Sequence, residues 1–269
     1  GNGFKDDIYG YNFVSDIGKI VPHNHGTHVA GTVAAVSNNG KGVAGVAGGN
    51  GQSGTGVRLM TCQIFVNDDD PYASSGGRKG APAIKYAADN GAKVINGSFG
   101  KYYSQHKEWV MDAIKYAESK DVLVVIAAGN ESYDLDVKNK YPNDTYDGSP
   151  EYAKNVLIIG ALSPTYGTKM VASFSNYGKN NVDIYAPGDK IYATIPNNEY
   201  KYEQGTSMAS PNVAGVATLI RSYYPNLTAV QVKQIIMESG TPLKNQVIIG
   251  EDKHKANFAD ASKSGRIVN

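Results

Sequence analysis

The feature that most constrains this chain is a series of short apolar runs separated by stretches in which apolar side chains recur at helical spacing. The runs are rich in β-branched residues and occupy residues 56–66, 92–96, 121–128 and 155–161. Such runs are typical of strands that are buried on both faces. Residues 81–91 and 106–119 place apolar side chains at helical spacing between them. This alternation predicts an α/β fold, a three-layer sandwich in which a mostly parallel central sheet lies between helices.

The end of the chain predicts one further helix and a tail. Thr228 and Gln231 have the spacing of a capping box ahead of an apolar stripe, and Gly240 is placed to end that helix. Residues 241–269 are polar and weakly patterned, and we expect them to form a covering C-terminal tail. Because no repeat or linker interrupts the sequence, residues 1–269 are predicted to be a single domain.

Composition excludes several classes of function. The chain has 26 Lys and Arg against 25 Asp and Glu, a net charge of +1, which removes the strong global field that non-specific binding to nucleic acid or an anionic membrane would use and leaves open only a local patch. The most apolar run, residues 122–128, is too short for a membrane span. The single cysteine, Cys62, excludes a disulfide framework. Nucleotide binding by a doubly wound fold is a further hypothesis, but no phosphate loop stands where it would be needed.

The candidate catalytic residues follow the predicted strands or stand at the starts of predicted helices. Ser207 stands at the start of a long helix, where free backbone amides and the helix dipole favour negative charge. A serine nucleophile also needs a base within hydrogen-bond reach and donors for the oxyanion. His25, at another helix start, could be the base. Asn130, after the strand at 121–128, could supply a side-chain donor.

Around these residues the chain resembles the subtilisin-like serine proteases, the subtilases. Residues 25–31 (HGTHVAG), 127–130 (AAGN) and 205–215 (GTSMASPNVAG) resemble three motifs of that family and occur in its order. Residues 94–100 (VINGSFG) resemble its substrate-binding strand. The resemblance covers roughly residues 8–240 and implies the subtilisin-like α/β fold.

The resemblance also implies roles for particular residues. Ser207 would be the nucleophile, His25 the general base and Asn130 the oxyanion donor of a serine endopeptidase. Ser98, Phe99 and Gly100 would pair with an extended polypeptide substrate as an added strand. A second substrate-flanking segment is expected near residues 74–77.

The sequence departs from the family pattern at the third catalytic residue. The family carries an aspartate at the end of an early buried strand, and none of Asp6, Asp7 and Asp16, which precede His25, follows an apolar run. Loss of this carboxylate lowers turnover by about 10⁴-fold. We therefore expect the catalytic domain to be N-terminally incomplete, with the aspartate on an upstream fragment of the same precursor that is docked on the domain or absent. The alternative is a degenerate subtilase, a pseudoenzyme that binds peptides without cutting them.

The remaining expectations concern metals and location. Residues 37–43 (SNNGKGV) resemble the family's calcium loop, with Asn39 as the side-chain ligand, so a structural calcium ion is expected and no cofactor is expected for catalysis. Residues 68–70 are three aspartates in a row, which could bind calcium but better fit a solvated turn. The resemblance implies a secreted or cell-envelope protein from which a propeptide has been removed.

Overall fold

A six-stranded sheet lies at the centre of the protein, with the strand order β3-β4-β5-β6-β12-β9. The structure is a computed structural model and describes residues 2–65 and 76–269. The helices are α1 (Asn24–Ala34), α2 (Gly76–Asp89), α3 (Lys107–Ser119), α4 (Thr206–Tyr223) and α5 (Ala229–Ser239). The strands are β1 (Gly10–Asn12), β2 (Thr61–Gln63), β3 (Val94–Gly97), β4 (Leu123–Ala127), β5 (Val156–Leu162), β6 (Ile184–Pro187), β7 (Ile191–Ile195), β8 (Glu199–Glu203), β9 (Thr241–Pro242), β10 (Gln246–Ile249), β11 (His254–Asn257) and β12 (Arg266–Ile267).

The strands that form most of the central sheet are parallel. β3, β4, β5 and β6 pair in parallel, as does β12 with β6, and only β9 runs antiparallel to its neighbour. Every residue of β4 and β5 is buried, as the continuous apolar runs predict.

Side chains of the central strands alternate between two apolar layers. Leu123 and Val125 of β4 pack on the same side as residues of α4 and α5. Val124 and Ile126 point to the opposite side, where α2 and α3 lie. The predicted three-layer α/β fold is therefore confirmed.

The predicted helix at the end of the core is also confirmed in detail. α5 starts after Thr228, whose side chain accepts a hydrogen bond from the Gln231 amide, while the Gln231 side chain accepts one from the Thr228 amide. Gly240 follows the last helical residue. None of the helices in the described ranges combines the length and the apolarity that crossing a bilayer requires.

The run at 56–66 differs from its prediction. Only Thr61–Gln63 forms a strand, and it pairs in parallel with β1 in a separate two-stranded sheet. Thr61 and Gln63 interrupt the apolar character of the run, and Thr61 is exposed. Cys62, between them, is shielded, and burial raises the pKa of its thiol to about 12.

The last 29 residues do more than cover the sheet. β12 inserts between β6 and β9, so residues 241–269 contribute two strands to the central sheet. The β10–β11 hairpin and Phe258, which is fully buried, close the side on which α2 and α3 lie. Strands of two residues are too short to show any periodicity, which is why the sequence predicted only a tail.

Candidate active site

Ser98 and Ser207 meet at the carboxyl edge of the parallel sheet. Ser98 follows β3 directly, and Ser207 lies in the first turn of α4. Their hydrogen bonds are reciprocal: Ser207 Oγ donates to the Ser98 carbonyl at 3.2 Å, and Ser98 Oγ donates to the Ser207 carbonyl at 2.8 Å. The predicted nucleophile and the first residue of the predicted substrate-binding segment (residues 98–100) are therefore in direct contact.

Asn130 lies on the loop after β4, and its amide is fixed by Thr206. Asn130 Oδ1 accepts hydrogen bonds from the Thr206 amide at 2.8 Å and from Thr206 Oγ1 at 2.9 Å. Thr206 is fully buried, and its Oγ1 accepts from the Gly129 amide at 2.9 Å. Because the oxygen of the Asn130 amide faces two donors, its nitrogen points the other way as a donor.

Gly205, which precedes α4, brings two donors to one place. Its φ is 145°, a conformation that side chains rarely adopt. The position that a Cβ would take there is 3.5 Å from Asn130 Nδ2 and 3.6 Å from the Ser207 amide nitrogen. Both nitrogens thus lie beside Gly205 at the start of α4, and their joint use as donors to an oxyanion stays a prediction.

His25 lies in the first turn of α1. Its amide donates to Nδ1 of His23, the residue that caps the helix, at 3.3 Å. α1 packs against both α4 and β7. The structure thus places His25 and Ser207 at the starts of two helices that pack together, and the proton transfer between them stays a prediction.

His28, one turn after His25, is a packed helix residue. It is fully buried, and its Nε2 lies 3.0 Å from the carbonyl oxygens of Ile191 and Lys201 on the β7–β8 hairpin. A ring nitrogen between two carbonyls must carry a proton, so His28 ties α1 to the hairpin.

Three polar residues of the site were not predicted from the sequence. Thr206 orients Asn130, as described above. Ser210, one turn after Ser207, donates to Asn96 Oδ1 at 2.7 Å, and Asn96 Nδ2 donates to Ser98 Oγ at 2.9 Å. A signal exists for each, since Thr206 and Ser210 flank the nucleophile within one motif and Asn96 lies in the strand, β3, that leads into Ser98.

Asn39 lies in the loop that was expected to bind calcium. Asn39 Oδ1 accepts a hydrogen bond from the Lys41 amide at 2.9 Å, closing a turn of the loop. Across residues 2–65 and 76–269, no group of three or more His, Cys, Asp or Glu side chains is placed to hold a metal ion. A calcium site at Asn39 would therefore depend on amide and carbonyl oxygens, which calcium accepts, and it stays a prediction.

Two expectations concern residues that lie partly or wholly outside the described ranges. The aspartates at 68–70 lie outside the described residues. The second substrate-flanking segment was expected near residues 74–77; positions 74 and 75 also lie outside, and α2 begins at Gly76.

Fold and site together define an α/β protein with a serine hydroxyl at the carboxyl edge of its parallel sheet and a histidine-bearing helix packed against the helix that carries this serine. The profile of the subtilase family matches residues 4–258. The chain belongs to the subtilase family.

Individual relatives agree with this assignment. The chain is 39% identical over 233 residues to the thermophilic serine proteinase of Bacillus sp. (strain AK1), which covers 86% of this chain and 51% of the relative. It is 33% identical over 253 residues to subtilisin-like protease 1 of Plasmodium vivax, covering 87% of this chain and 37% of the relative. The chain thus spans about half or less of the length of these relatives. A solved structure described as S41 psychrophilic protease superposes with a TM-score of 0.70 at 27% identity, covering 92% of this chain and 77% of that chain.

Proposed function

We propose that this chain is the catalytic domain of a serine endopeptidase that hydrolyses peptide bonds in extended polypeptides. Ser207 is the nucleophile, His25 the general base, and Asn130 a donor to the oxyanion. The observation that carries the proposal is the arrangement at the start of α4, where Thr206 orients the Asn130 amide and Ser207 contacts Ser98.

The proposed reaction uses these groups in sequence. Ser207 Oγ attacks the scissile carbonyl carbon while His25 takes the hydroxyl proton, and the carbonyl oxygen becomes an oxyanion. Asn130 Nδ2 and the Ser207 amide donate to that oxyanion. His25 then gives the proton to the leaving amine, and water hydrolyses the acyl-enzyme by the same steps.

The observed position of Ser207 Oγ fits a free enzyme. Its hydrogen bond to the Ser98 carbonyl is 3.2 Å, long for a hydroxyl donor. Such a bond costs little to exchange for one to an imidazole, so the hydroxyl can turn toward His25 when substrate binds.

For the substrate we propose pairing with residues 98–100. Gly100 is exposed, and in the described part of the chain no group accepts a hydrogen bond from its amide. An extended peptide can use that amide as the edge of an added strand, which gives affinity without strong side-chain selection.

The third catalytic group is proposed to be an aspartate on a polypeptide segment outside these 269 residues, from the same precursor. The family's aspartate motif is absent from the sequence before His25. Within the described residues, β3 ends the central sheet and β2 pairs only with β1, so each keeps one edge without a partner strand. A parallel strand on the β3 edge would end where Ser98 and Ser207 lie.

The other family properties are proposed on the resemblance alone. They are secretion or cell-envelope location, removal of a propeptide, and a structural calcium ion at Asn39. Calcium titration followed by thermal unfolding tests the last of these directly.

Hydrolysis of an extended, internally quenched peptide tests the proposed function. The assay compares the chain with the upstream segment added, the same mixture with Ser207→Ala, and the mixture with Asn130→Ala. We expect cleavage that Ser207→Ala abolishes and that Asn130→Ala slows by about 10²–10³-fold, the range typical for loss of one oxyanion donor. Tight peptide binding without any cleavage would instead support the peptide-binding pseudoenzyme.

A further inference from the structure

A lysine is buried directly behind the segment proposed to bind substrate. Lys140 is only 2% exposed, although it lies on a connecting loop between β4 and β5. Its Nζ lies 3.5 Å from the Phe99 carbonyl oxygen and 3.4 Å from that of Pro142. Among the described residues no carboxylate comes within 4.0 Å of it, so the acceptors nearest to it there are these two backbone carbonyls, at distances that are long for an N–H···O hydrogen bond.

The backbone of residues 98–100 packs tightly against this ammonium. A Cβ on Gly100 would lie 2.7 Å from Lys140 Nζ and would also overlap Cε. Next to it, Lys101 and Tyr141 exchange two backbone hydrogen bonds, of 2.9 and 2.8 Å. The loop that carries Lys140 is therefore paired with the chain just after Gly100.

The peptide between Phe99 and Gly100 has two ends with different surroundings. In a trans peptide the carbonyl and the N–H point in opposite directions. The Phe99 carbonyl faces the buried ammonium, so the Gly100 N–H faces away from it. That N–H donates to no group in the described chain and belongs to an exposed residue.

A cation at the carbonyl end of a peptide strengthens the N–H at the other end as a donor. Hydrogen bonds in series polarise one another, and a charged donor is stronger than a neutral one. The effect is greatest where water is excluded from the charge, and the Lys140 side chain is buried.

We propose that Lys140 is a positioning residue for polypeptide binding: its ammonium holds the Phe99 carbonyl and polarises the Phe99–Gly100 peptide, so that the Gly100 N–H binds a substrate backbone carbonyl more strongly. This inference rests on the proposed function, because it names how the substrate backbone is held. Lys140 touches neither the substrate nor the reacting atoms and acts through Gly100.

The cost of burying this lysine agrees with a functional role. Burial lowers the pKa of Lys140 to about 7, and the negative charge of Glu131 only partly offsets that effect. A buried charge without a close counter-ion is unfavourable for folding, and such groups concentrate at functional sites.

Binding of uncleaved peptides tests the proposal without any need for catalysis. In a Ser207→Ala background at pH 6, where Lys140 is protonated, calorimetry measures the affinity of a hexapeptide and of a set of analogues in which one amide at a time is an ester, which has a weaker carbonyl acceptor and no N–H. We expect one ester position to weaken binding by about tenfold, the size of a good hydrogen bond. With Lys140→Met, affinity for the parent hexapeptide should fall and the penalty at that ester position should largely disappear.

Two further variants separate polarisation from a structural effect. Lys140→Arg keeps the charge and should retain the ester penalty. Lys138→Met removes an exposed lysine of the same loop, which lies over the Tyr133 ring, and should leave every affinity unchanged. An equal ester penalty in Lys140→Met and in the parent would overturn the proposal. If the protein with Ser207 intact, assayed with the upstream segment added, binds peptide but never hydrolyses it, the proposed endopeptidase function fails, while the role of Lys140 is still decided by these affinities.

Discussion

Replacing Lys140 by methionine should make the fold more stable, and the gain should depend on pH. Methionine matches the length of the lysine stem and carries no charge. The ordinary pKa of lysine is 10.5, and burial lowers the pKa of Lys140 to about 7. The folded protein therefore binds this proton less tightly than the unfolded chain does, so protonation at this site favours unfolding.

The size of the effect follows from these two values. Each tenfold difference in proton affinity is worth about 1.4 kcal/mol, so the buried charge costs about 5 kcal/mol at pH values below 7. Above pH 7 the folded lysine loses its proton while the unfolded one keeps it, and the parent protein regains about 3 kcal/mol by pH 9. Methionine leaves the Phe99 and Pro142 carbonyls without this donor, which offsets about 1–2 kcal/mol of the gain.

Urea unfolding at pH 6 and pH 9 measures the prediction, with Ser207→Ala in both proteins to prevent self-digestion. At pH 6 Lys140→Met should be more stable by roughly 3 kcal/mol. At pH 9 the difference should almost vanish. A stability difference that is the same at both pH values, or a methionine variant that is less stable at pH 6, would contradict the reasoning. Either result would show that burial of protonated Lys140 does not destabilise the fold.

Three other substitutions test the local packing. Thr206→Val removes the hydroxyl that orients Asn130, so covalent labelling of the nucleophile should slow by about tenfold or more, as expected for a misplaced oxyanion donor, while circular dichroism stays unchanged. Thr228→Ala removes the side chain that caps α5 and should lower the free energy of unfolding by about 1 kcal/mol in urea titrations. Gly160→Ala would bring a methyl group to 2.7 Å from Cδ1 of the fully buried Tyr185 ring, and differential scanning calorimetry should show a loss of about 1–3 kcal/mol. Unchanged labelling, urea midpoint or melting temperature, respectively, would contradict each prediction.

The sequence predicted best where local signals and burial agree. The run at 121–128 became the buried strand β4, and the capping box at Thr228 formed in both its halves. The long helix that was predicted to open at Ser207 is α4, which begins one residue earlier, at Thr206. In each case a few neighbouring residues determine the outcome.

The sequence predicted poorly where distant residues decide the structure. β12 has two residues and exists because β6 and β9 lie on either side of it. The burial of Lys140 depends on Phe99 and Gly100, about forty positions earlier, and the surrounding loop has no periodicity that would reveal it. A lysine in such a loop is ordinarily exposed, so only the folded chain shows that this one is not.

The central claim is that Ser207 is a nucleophile activated by His25. Covalent labelling by a fluorophosphonate probe, with the upstream segment present and the labelled residue identified by peptide mass spectrometry, tests this claim directly. We predict that the probe attaches to Ser207 and that His25→Ala nearly abolishes the attachment. A Ser207 that stays unmodified, or one that reacts equally fast without the imidazole, would contradict the account.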